Sequence, residues 1–290
     1  MNYQYKKNEK YGYYSADPIP TEQELSDFYA AKYYQDNEGA HATAYSEDHI
    51  TYAKVDCQVM EFLFKQTGNT DKPKILDAGC GEGFQSSYFN ERDWDVTCTD
   101  YSSFGISNHN PKLMPNFVKG DIKNLNNLFA GQQFSLILLK NVLEHVTDPV
   151  QALKSIRDLM HKDSILYINV PNDFSDFQNY LMEQDLTPNT WFCPPQHLQY
   201  FQFDSLRALL EDLGFEIISM QAGFPIEQFL LNENSNYVQD RTRGRGAHVA
   251  RCKLSNYFAQ YDLASFIELR EAYAKLSFGR DVISFVKLAN

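Results

Sequence analysis

The residues most able to do chemistry form a short glycine-rich segment, Asp77-Ala78-Gly79-Cys80-Gly81-Glu82-Gly83. An apolar run from Ile75 leads into this segment, and a helical stretch follows from Phe84. Glycine lets a ligand lie against the backbone, and a helix N-terminus presents free N–H groups. The pattern predicts a ligand-binding loop at the carboxyl end of a β-strand, where open α/β sheets bind their ligands. The alternative is that the glycines serve only a tight turn.

The spacing of the glycines separates two classes of ligand. A dinucleotide fingerprint, G-x-G-x-x-G counted from Gly79, needs its third glycine at position 84, which is Phe84. The glycines instead stand at alternate positions, and Asp77 precedes them at the end of the strand. A carboxylate there repels a pyrophosphate and attracts an ammonium or sulfonium group. The sequence therefore favours a positively charged ligand over a dinucleotide.

This segment resembles the first motif of the class I S-adenosylmethionine-dependent methyltransferases, and the resemblance extends over residues 50–222. It implies that S-adenosylmethionine is the cofactor and S-adenosylhomocysteine the product. Asp100, at the end of Cys98-Thr99-Asp100-Tyr101, falls where the family binds both ribose hydroxyls, and a carboxylate offers one oxygen to each. Gly120-Asp121-Ile122 falls where the family binds the adenine amino group and packs an apolar residue on the ring.

The segment Leu139-Lys140-Asn141-Val142-Leu143-Glu144-His145-Val146 resembles the family's fourth-strand motif, in a version seen in small-molecule O-methyltransferases. The resemblance implies that backbone near Lys140 and Asn141 faces the methionine part of the cofactor. Taken alone, Asp100 could instead cap the next helix and Asp121 could form a turn. The cofactor-binding residues expected from the resemblance are Asp77, Gly79, Cys80, Gly81, Gly83, Phe84, Asp100, Tyr101, Asp121, Ile122, Lys140, Asn141 and Tyr34.

Methyl transfer from a sulfonium is an in-line displacement, so the enzyme mainly aligns the acceptor, the methyl group and the sulfur. A hydroxyl acceptor must also lose its proton, and the ordinary pKa of histidine lies near neutral pH. We expect His197 or His145 to be the catalytic base. His197 lies in Pro195-Gln196-His197-Leu198-Gln199-Tyr200-Phe201, which resembles a family segment that borders the acceptor pocket. Either histidine could instead be a packing residue.

No catalytic metal is expected from the sequence. Cys193 and His197 could share an ion, but no third and fourth ligands are evident. Magnesium-dependent relatives place an acid after the fourth strand, where this chain has Lys140-Asn141. The Asn-Pro-Pro-Tyr motif of amino-group methylation is absent, which weakens a DNA, protein or amine acceptor.

The flanks of the chain look similar to methyltransferases of bacterial polysaccharide and modified-sugar pathways. The similarity lies in the tyrosine-rich segment 12–35 and in the tail Gly279-Arg280-Asp281-Val282-Ile283. We expect the tyrosine-rich N-terminus to form a helical lid, with Tyr33 or Tyr34 at the cofactor. The alternative is a helical cap that merely packs on the sheet.

A cationic stretch over residues 241–253 contains five Lys and Arg residues and no acid. Arginine binds phosphate through two parallel hydrogen bonds. Arg241, Arg243 and Arg245, together with Tyr200, are therefore expected to bind the acceptor, and a phosphorylated or nucleotide-linked sugar would fit. The alternative is a solvated loop whose arginines pair with acids such as Glu227 or Asp240.

The elements that must position these residues alternate between strands and helices from Lys74 onward. This order predicts an α/β fold with a mostly parallel sheet covered on both sides. The family resemblance implies a Rossmann-like seven-stranded methyltransferase sheet with helices on both faces. By the family resemblance, the last strand is antiparallel. The predicted strands are Ile75–Ala78, Asp95–Thr99, Asn116–Lys119, Phe134–Leu139, Ile165–Val170, Phe215–Met220 and Val282–Val286, and the predicted helices include Phe84–Glu91, Pro149–His161 and Ser205–Leu213.

Composition limits the class of protein. The chain of 290 residues has 26 basic and 38 acidic side chains, so its formal net charge of −12 disfavours general nucleic-acid binding. Five scattered cysteines without a C-x-x-C pair fit a reduced cytoplasmic protein. The longest aliphatic run, Leu136–Leu139, is too short to cross a bilayer, and the first residues lack the apolar stretch of a signal peptide.

The predicted division is a lid at 1–50, a cofactor-binding core at 51–222, a helical cap at 223–279 and a last core strand at 280–290. The predicted function is O-methylation of a sugar, a nucleotide sugar or another small polar acceptor. One alternative is N- or C-methylation of another small molecule, such as a quinone precursor. The other is a non-catalytic cofactor-binding partner of a glycan assembly complex. A homodimer is compatible with the sequence, which does not determine the oligomeric state.

Overall fold

The computed structural model describes residues 3–28, 46–68 and 73–289. The strands are, in chain order, β1 (Gln4–Lys7), β2 (Tyr14–Asp17), β3 (Lys74–Ala78), β4 (Asp95–Asp100), β5 (Phe117–Lys119), β6 (Phe134–Lys140), β7 (Met160–Pro171), β8 (Gln199–Tyr200), β9 (Phe215–Ala222) and β10 (Asp281–Leu288). The α-helices are α1 (Glu22–Phe28), α2 (Glu47–Gln66), α3 (Phe84–Asn90), α4 (Phe104–His109), α5 (Leu125–Leu128), α6 (Pro149–Arg157), α7 (Asp176–Glu183), α8 (Phe203–Asp212), α9 (Gly244–Tyr261) and α10 (Leu263–Lys275). None of these helices is long and apolar enough to span a bilayer.

Seven strands form one mixed sheet in the order β5-β4-β3-β6-β7-β10-β9. The central strand β3 pairs in parallel with β4 on one side and with β6 on the other, so the strand order reverses there. β10 runs antiparallel to both β7 and β9. The predicted fold class is confirmed, including the antiparallel last strand. The carboxyl ends of β3 and β6 flank the switch point, where sheets of this kind bind ligands.

The sheet is buried on both faces. Successive residues of a strand point to opposite faces, so Leu76 and Ile75 join two different apolar clusters. The cluster around Leu76 takes in the buried side of α6 and α8, and the cluster around Ile75 takes in that of α2 and α3. Helices on both sides therefore hold the strand ends in fixed positions.

The described part of the N-terminal segment adds strands that the sequence analysis did not predict. β1, β2 and β8 form a three-stranded antiparallel sheet. Thr21 and Glu24 make a capping box at the start of α1, because Glu24 Oε2 accepts from the Thr21 N–H at 2.8 Å and Thr21 Oγ1 accepts from the Glu24 N–H at 3.3 Å. Tyr33 and Tyr34 lie outside the described residues, so the expected contact of Tyr34 with the cofactor stays a prediction.

Helix α6 ends earlier than its sequence pattern predicts. Asp148 caps its N-terminus by accepting from the Gln151 N–H at 2.9 Å. The helix stops at Arg157, whereas the prediction ran to His161. Met160 pairs instead with Phe134 at the start of β6, so β7 begins there. The helical spacing of Met160 was misleading because an apolar residue next to a strand can bury itself equally well in the sheet.

Candidate functional site

The glycine-rich loop connects β3 to α3 and is held against β4. The backbone N–H groups of Gly79 and Cys80 both donate to the Thr99 carbonyl, at 2.8 and 3.0 Å. Gly79 and Gly81 have φ values of +85° and +51°. A Cβ on Gly79 would overlap Val142, whereas a Cβ on Gly81 would point into open space. Gly79 therefore makes the tight turn, and Gly81 leaves an open floor against which a ligand can lie.

Asp77 lies beneath this loop, with 3% of its surface exposed. Its Oδ2 accepts from the Ser86 hydroxyl of α3 at 2.6 Å. Burial, and to a lesser degree the nearby Asp100 carboxylate, raise the pKa of Asp77 to about 6 although the Ser86 hydrogen bond lowers it. A bound cation would favour the ionised form of Asp77, which is the electrostatic property that the sequence analysis required of the site.

Two further acids follow the neighbouring strands β4 and β5. Asp100 Oδ2 accepts from the Gly81 N–H at 3.0 Å, which ties the end of β4 to the glycine-rich loop. The hydroxyl of the exposed Tyr101 donates to Asp121 Oδ2 at 2.8 Å. Ser103, not Asp100, occupies the N-cap position of helix α4, whereas the Asp121 side chain caps the short 3-10 turn that starts at Ile122. The predicted ribose and adenine residues thus lie together along one edge of the sheet.

Lys140 and Asn141 end β6 on the other side of the switch point. The Lys140 ammonium lies 2.9 Å from Asp56 Oδ2, so its side chain binds α2. Asn141 has a φ of +53° and donates its N–H to the Asn169 carbonyl at 2.9 Å. The structure brings both residues next to the glycine-rich loop, since Val142 contacts Gly79.

Beyond Asn141, a 3-10 turn over 143–145 and the loop before β8 bring two histidines together. The rings of His145 and His197 meet edge to face, with centroids 5.0 Å apart. His145 Nδ1 donates to the Gln196 carbonyl at 2.5 Å. The Leu198 N–H donates to the Glu144 carbonyl at 2.8 Å, which joins the loop to the turn. The two candidate bases are therefore one site rather than alternatives at separate places.

Carboxylates that the sequence analysis did not single out surround this pair. Glu144 Oε1 lies 3.7 Å from His145 Nε2, and Asp173 Oδ2 lies 3.7 Å from His197 Nδ1. Asp173 in turn pairs with Arg280 at 2.6 Å, and Arg280 lies 3.5 Å from Glu227. Glu144 could have been predicted as a site residue, because it directly precedes His145 in the sequence. No local pattern links Asp173 to Arg280, because they are 107 residues apart.

Burial and mutual charge separate the pKa values of this cluster. Burial, followed by the neighbouring His197, lowers the pKa of His145 to about 3. Burial alone would lower the pKa of His197, but hydrogen bonding and charge from Asp173, Cys193 and Glu144 raise it to about 10. Burial raises the pKa of Glu144 to about 7. The surroundings of the two imidazoles thus favour positive charge at His197 and disfavour it at His145.

The predicted acceptor-binding residues fall into different environments. Tyr200 is 1% exposed, and its hydroxyl donates to the His197 carbonyl at 2.9 Å, so it holds the histidine loop in place. Arg243 pairs with Asp240 at 2.8 Å, as the solvated-loop alternative expected. The side chains of Arg241 and Arg245 are exposed. The stretch itself is a 3-10 turn that leads into α9, and Glu227 pairs with Arg280 instead.

The chain is similar to known methyltransferases in its sequence pattern and in its fold. A family model described as a methyltransferase domain matches residues 32–220. No curated protein sequence matches the chain. Three solved structures of similar fold illustrate the range of proteins that share this architecture.

The first is a SAM-dependent methyltransferase from Archaeoglobus fulgidus, with 18% identity, a TM-score of 0.52, and coverage of 83% of this chain and 95% of that one. The plantazolicin methyltransferase BamL, solved with a triazolic desmethylPZN analog and SAH, has 16% identity, a TM-score of 0.50 and coverage of 84% and 90%. The [4+2]-cyclase SpnF has 16% identity, a TM-score of 0.52 and coverage of 94% and 98%. At these identities the similarity establishes the fold and leaves the acceptor open.

Proposed function

The chain belongs to the methyltransferase domain family, and we propose that it transfers the methyl group of S-adenosylmethionine to a hydroxyl of a small polar acceptor, a sugar or sugar derivative. S-adenosylmethionine supplies an activated methyl group on a positively charged sulfur. The chain's own residues bind the cofactor, orient the acceptor and handle the hydroxyl proton.

Three features of the cofactor site fit that cofactor. Gly81 leaves open space beside the backbone, as a ligand lying on the loop requires. Asp77 supplies negative charge below the loop, and Asp100 holds two carboxylate oxygens at its edge. Tyr101, with 61% of its surface exposed, offers an aromatic face next to Asp121. An adenine ring can stack on such a face.

The observation that carries the proposal of O-methylation is the cluster of Glu144, His145 and His197. One ligand-type atom of each lies within 4.8 Å of the others. The cluster lies directly beyond Asn141, on the side of the switch point away from Asp100. Three protonatable groups at this position suit an acceptor hydroxyl, which must lose its proton as it attacks the methyl group.

The proposal is tested by an acceptor screen with methyl-labelled S-adenosylmethionine, covering free glycans, nucleotide sugars and phosphorylated small molecules. We expect a hydroxyl acceptor to be labelled. Label on nitrogen or carbon would favour the first alternative function. Tight cofactor binding without label on any acceptor would favour a non-catalytic partner.

His197→Gln and His145→Gln are expected to lower kcat for the true acceptor by about 10²- to 10⁴-fold, since that is the usual contribution of a proton-handling group. The affinity for S-adenosylmethionine, measured by calorimetry, should stay unchanged because both histidines follow Asn141, on the side of the switch point away from Asp100. His161→Gln, at the far end of β7, is the matched control. Full turnover in both active-site variants would show that the histidine pair takes no part in the reaction.

We also propose that the acceptor carries phosphate, supported by the exposed side chains of Arg241 and Arg245. Arg243 is less available because Asp240 and the Glu233 carbonyl bind it. Replacing Arg241 and Arg245 with glutamine should raise the KM of a phosphorylated acceptor and leave that of a neutral glycan unchanged. Equal KM values in variant and wild type would leave only the solvated-turn interpretation.

A further inference from the structure

Two clusters of side chains in the described residues have the composition of a metal site. One consists of His49, His248 and Cys252, and the other of Glu144, His145 and His197. Each offers three ligand-type atoms within 4.8 Å of one another. The two clusters differ in which ring nitrogen of each histidine carries the proton. This matters because a neutral imidazole binds a metal through the nitrogen that carries no proton.

The cluster of His49, His248 and Cys252 is already committed to hydrogen bonds. Arg251 lies 2.7 Å from His248 Nδ1, and a guanidinium can only donate. His248 must therefore accept at Nδ1 and carry its proton on Nε2, which donates to His49 Nδ1 at 2.8 Å. Both nitrogens of His248 are thus used, and a cation would also lie against the charge of Arg251. This arrangement is a hydrogen-bond chain that disfavours a metal.

His145 carries its ring proton on Nδ1, whereas His248 carries its ring proton on Nε2. His145 Nδ1 lies 2.5 Å from the Gln196 carbonyl, which can only accept, so the ring proton is on Nδ1. The lone pair is then on Nε2, which faces Glu144 Oε1 at 3.7 Å. A backbone carbonyl that accepts from one ring nitrogen is the usual support of a metal-binding histidine, because it fixes the tautomer and the ring orientation.

Glu144 and His197 supply the other two positions. Glu144 is 1% exposed, and its Oε2 has no hydrogen-bond partner among the described residues, which is costly for a buried carboxylate. His197 has the Asp173 carboxylate 3.7 Å behind its Nδ1, and a metal ion at Nε2 would replace the proton that these surroundings otherwise favour there. Carboxylate, histidine and metal in series is a recurring arrangement in metalloproteins. The sequence analysis considered Cys193 as a co-ligand of His197, and the structure adds Glu144 and His145 beside that histidine.

We propose that Glu144, His145 and His197 bind a divalent transition-metal ion. Two imidazoles and one carboxylate suit zinc, manganese or ferrous iron, and they leave coordination positions for another ligand. Two ligands of one such ion lie about 3 to 3.4 Å apart, given metal–ligand bonds of about 2.1 Å. The Glu144–His145 separation of 3.7 Å therefore needs to shorten by only a few tenths of an ångström.

The inference rests on the proposed function for its role in the reaction, though not for the binding itself. An ion at this cluster would lower the pKa of an acceptor hydroxyl placed beside it, and the hydroxyl would release its proton to water. The new O–C bond then forms as the C–S bond of the cofactor breaks, and S-adenosylhomocysteine leaves with the sulfur electron pair. The cluster would thus activate the acceptor without a histidine base.

Binding is measured first, on the full chain after treatment with a chelator. Co²⁺ is titrated by calorimetry and by absorption spectroscopy, and Zn²⁺ is used to displace it. We expect one Co²⁺ per chain with a spectrum that shows nitrogen and oxygen ligands. Glu144→Gln and His145→Ala should abolish saturable binding, and Asp173→Asn should weaken it by roughly 10- to 100-fold, as expected for a group behind a ligand.

His248→Ala and Cys252→Ala are the matched controls and should bind Co²⁺ like the wild type. Each variant is first checked for S-adenosylmethionine binding, so that loss of metal is not confused with loss of the fold. Absence of saturable Co²⁺ binding in the wild type would overturn the inference. Binding that is lost in the control variants and kept in Glu144→Gln would overturn it as well.

Turnover of the acceptor found in the screen separates the two proposals. If Co²⁺ binds as expected but no acceptor is methylated, the proposed function fails and the metal site stands. If chelator-treated protein methylates at the full rate and binds no Co²⁺, the proposed function stands and the metal site fails.

Discussion

At the scale of single residues, two glycines of the same loop have different tasks. Gly79 contacts Val142, and Gly81 faces open space, although both have positive φ values. Gly79→Ala should destabilise the fold by about 1–2 kcal/mol from backbone strain and a further 1–3 kcal/mol from overlap. Gly81→Ala should destabilise the fold by the backbone strain alone. It should also impair S-adenosylmethionine binding, because the added methyl group would occupy the loop floor.

Urea unfolding and calorimetric titration measure these two effects separately. Gly131→Ala is the matched control, since Gly131 also has a positive φ and open space around it, and it lies away from the loop. Gly81→Ala with unchanged cofactor affinity would show that the loop serves only as a turn.

Asp77 links cofactor binding to pH. Its pKa is raised to about 6 by burial, so below that pH the carboxyl group is largely protonated. If S-adenosylmethionine binds the ionised form, the apparent affinity should fall about tenfold between pH 8 and pH 5, as the competent fraction falls. Calorimetry at several pH values measures this dependence.

A rise in pH should lower the stability of the ligand-free fold, although it raises the affinity for the cofactor. A carboxyl group whose pKa is higher in the folded than in the unfolded chain destabilises the ligand-free fold as pH rises from about 4 to 6. Asp77→Asn should remove this loss and also flatten the pH dependence of cofactor affinity. An affinity that is independent of pH in the wild type would contradict the electrostatic role of Asp77.

At the scale of elements, Asp56 joins three parts of the fold. From α2 it binds Lys140 of β6 at 2.9 Å and Arg270 of α10 at 3.2 Å. Burial would raise the pKa of Asp56, but these two cations lower it to about 2. This ion network joins α10 to β6, the strand that leads to the 3-10 turn of Glu144 and His145.

Asp56→Asn should therefore lower the free energy of unfolding by about 3–5 kcal/mol, because it leaves two largely buried cations unpaired. Lys65→Gln is the surface control: the Lys65 side chain is 67% exposed and pairs with Glu61 one helical turn earlier, and loss of this pair should cost at most about 0.5 kcal/mol. Equal destabilisation in both variants, measured by urea unfolding, would show that the Asp56 network does not hold these elements together.

Local patterns predicted most of the elements but not those that depend on distant partners. The strands of the large sheet were predicted because short apolar runs alternate with amphipathic helical stretches along the chain. β8 was not, because it has two residues and pairs with β2, which lies 184 residues earlier. The end of α6 was misplaced because Leu159 and Met160 suit a helix face and a sheet equally well.

At the scale of the whole molecule, the parts of the site differ in how far they can be predicted from sequence. The glycine-rich loop and the acids after β4 and β5 each lie in a local motif, and the sheet topology brings them to one edge. The support of the histidine pair is different, because Gln196, Asp173 and Arg280 reach it from separate segments. Only the folded chain shows that Glu144 Oε2 is buried with no hydrogen-bond partner among the described residues.

The central claim is tested most directly by incubating the full chain with methyl-labelled S-adenosylmethionine and a panel of sugars and nucleotide sugars, followed by mass spectrometry. We predict an O-methylated product and S-adenosylhomocysteine in equal amounts, both lost in Asp77→Ala. A protein that binds no S-adenosylmethionine, or one that binds a nicotinamide dinucleotide on the glycine-rich loop, would contradict the claim.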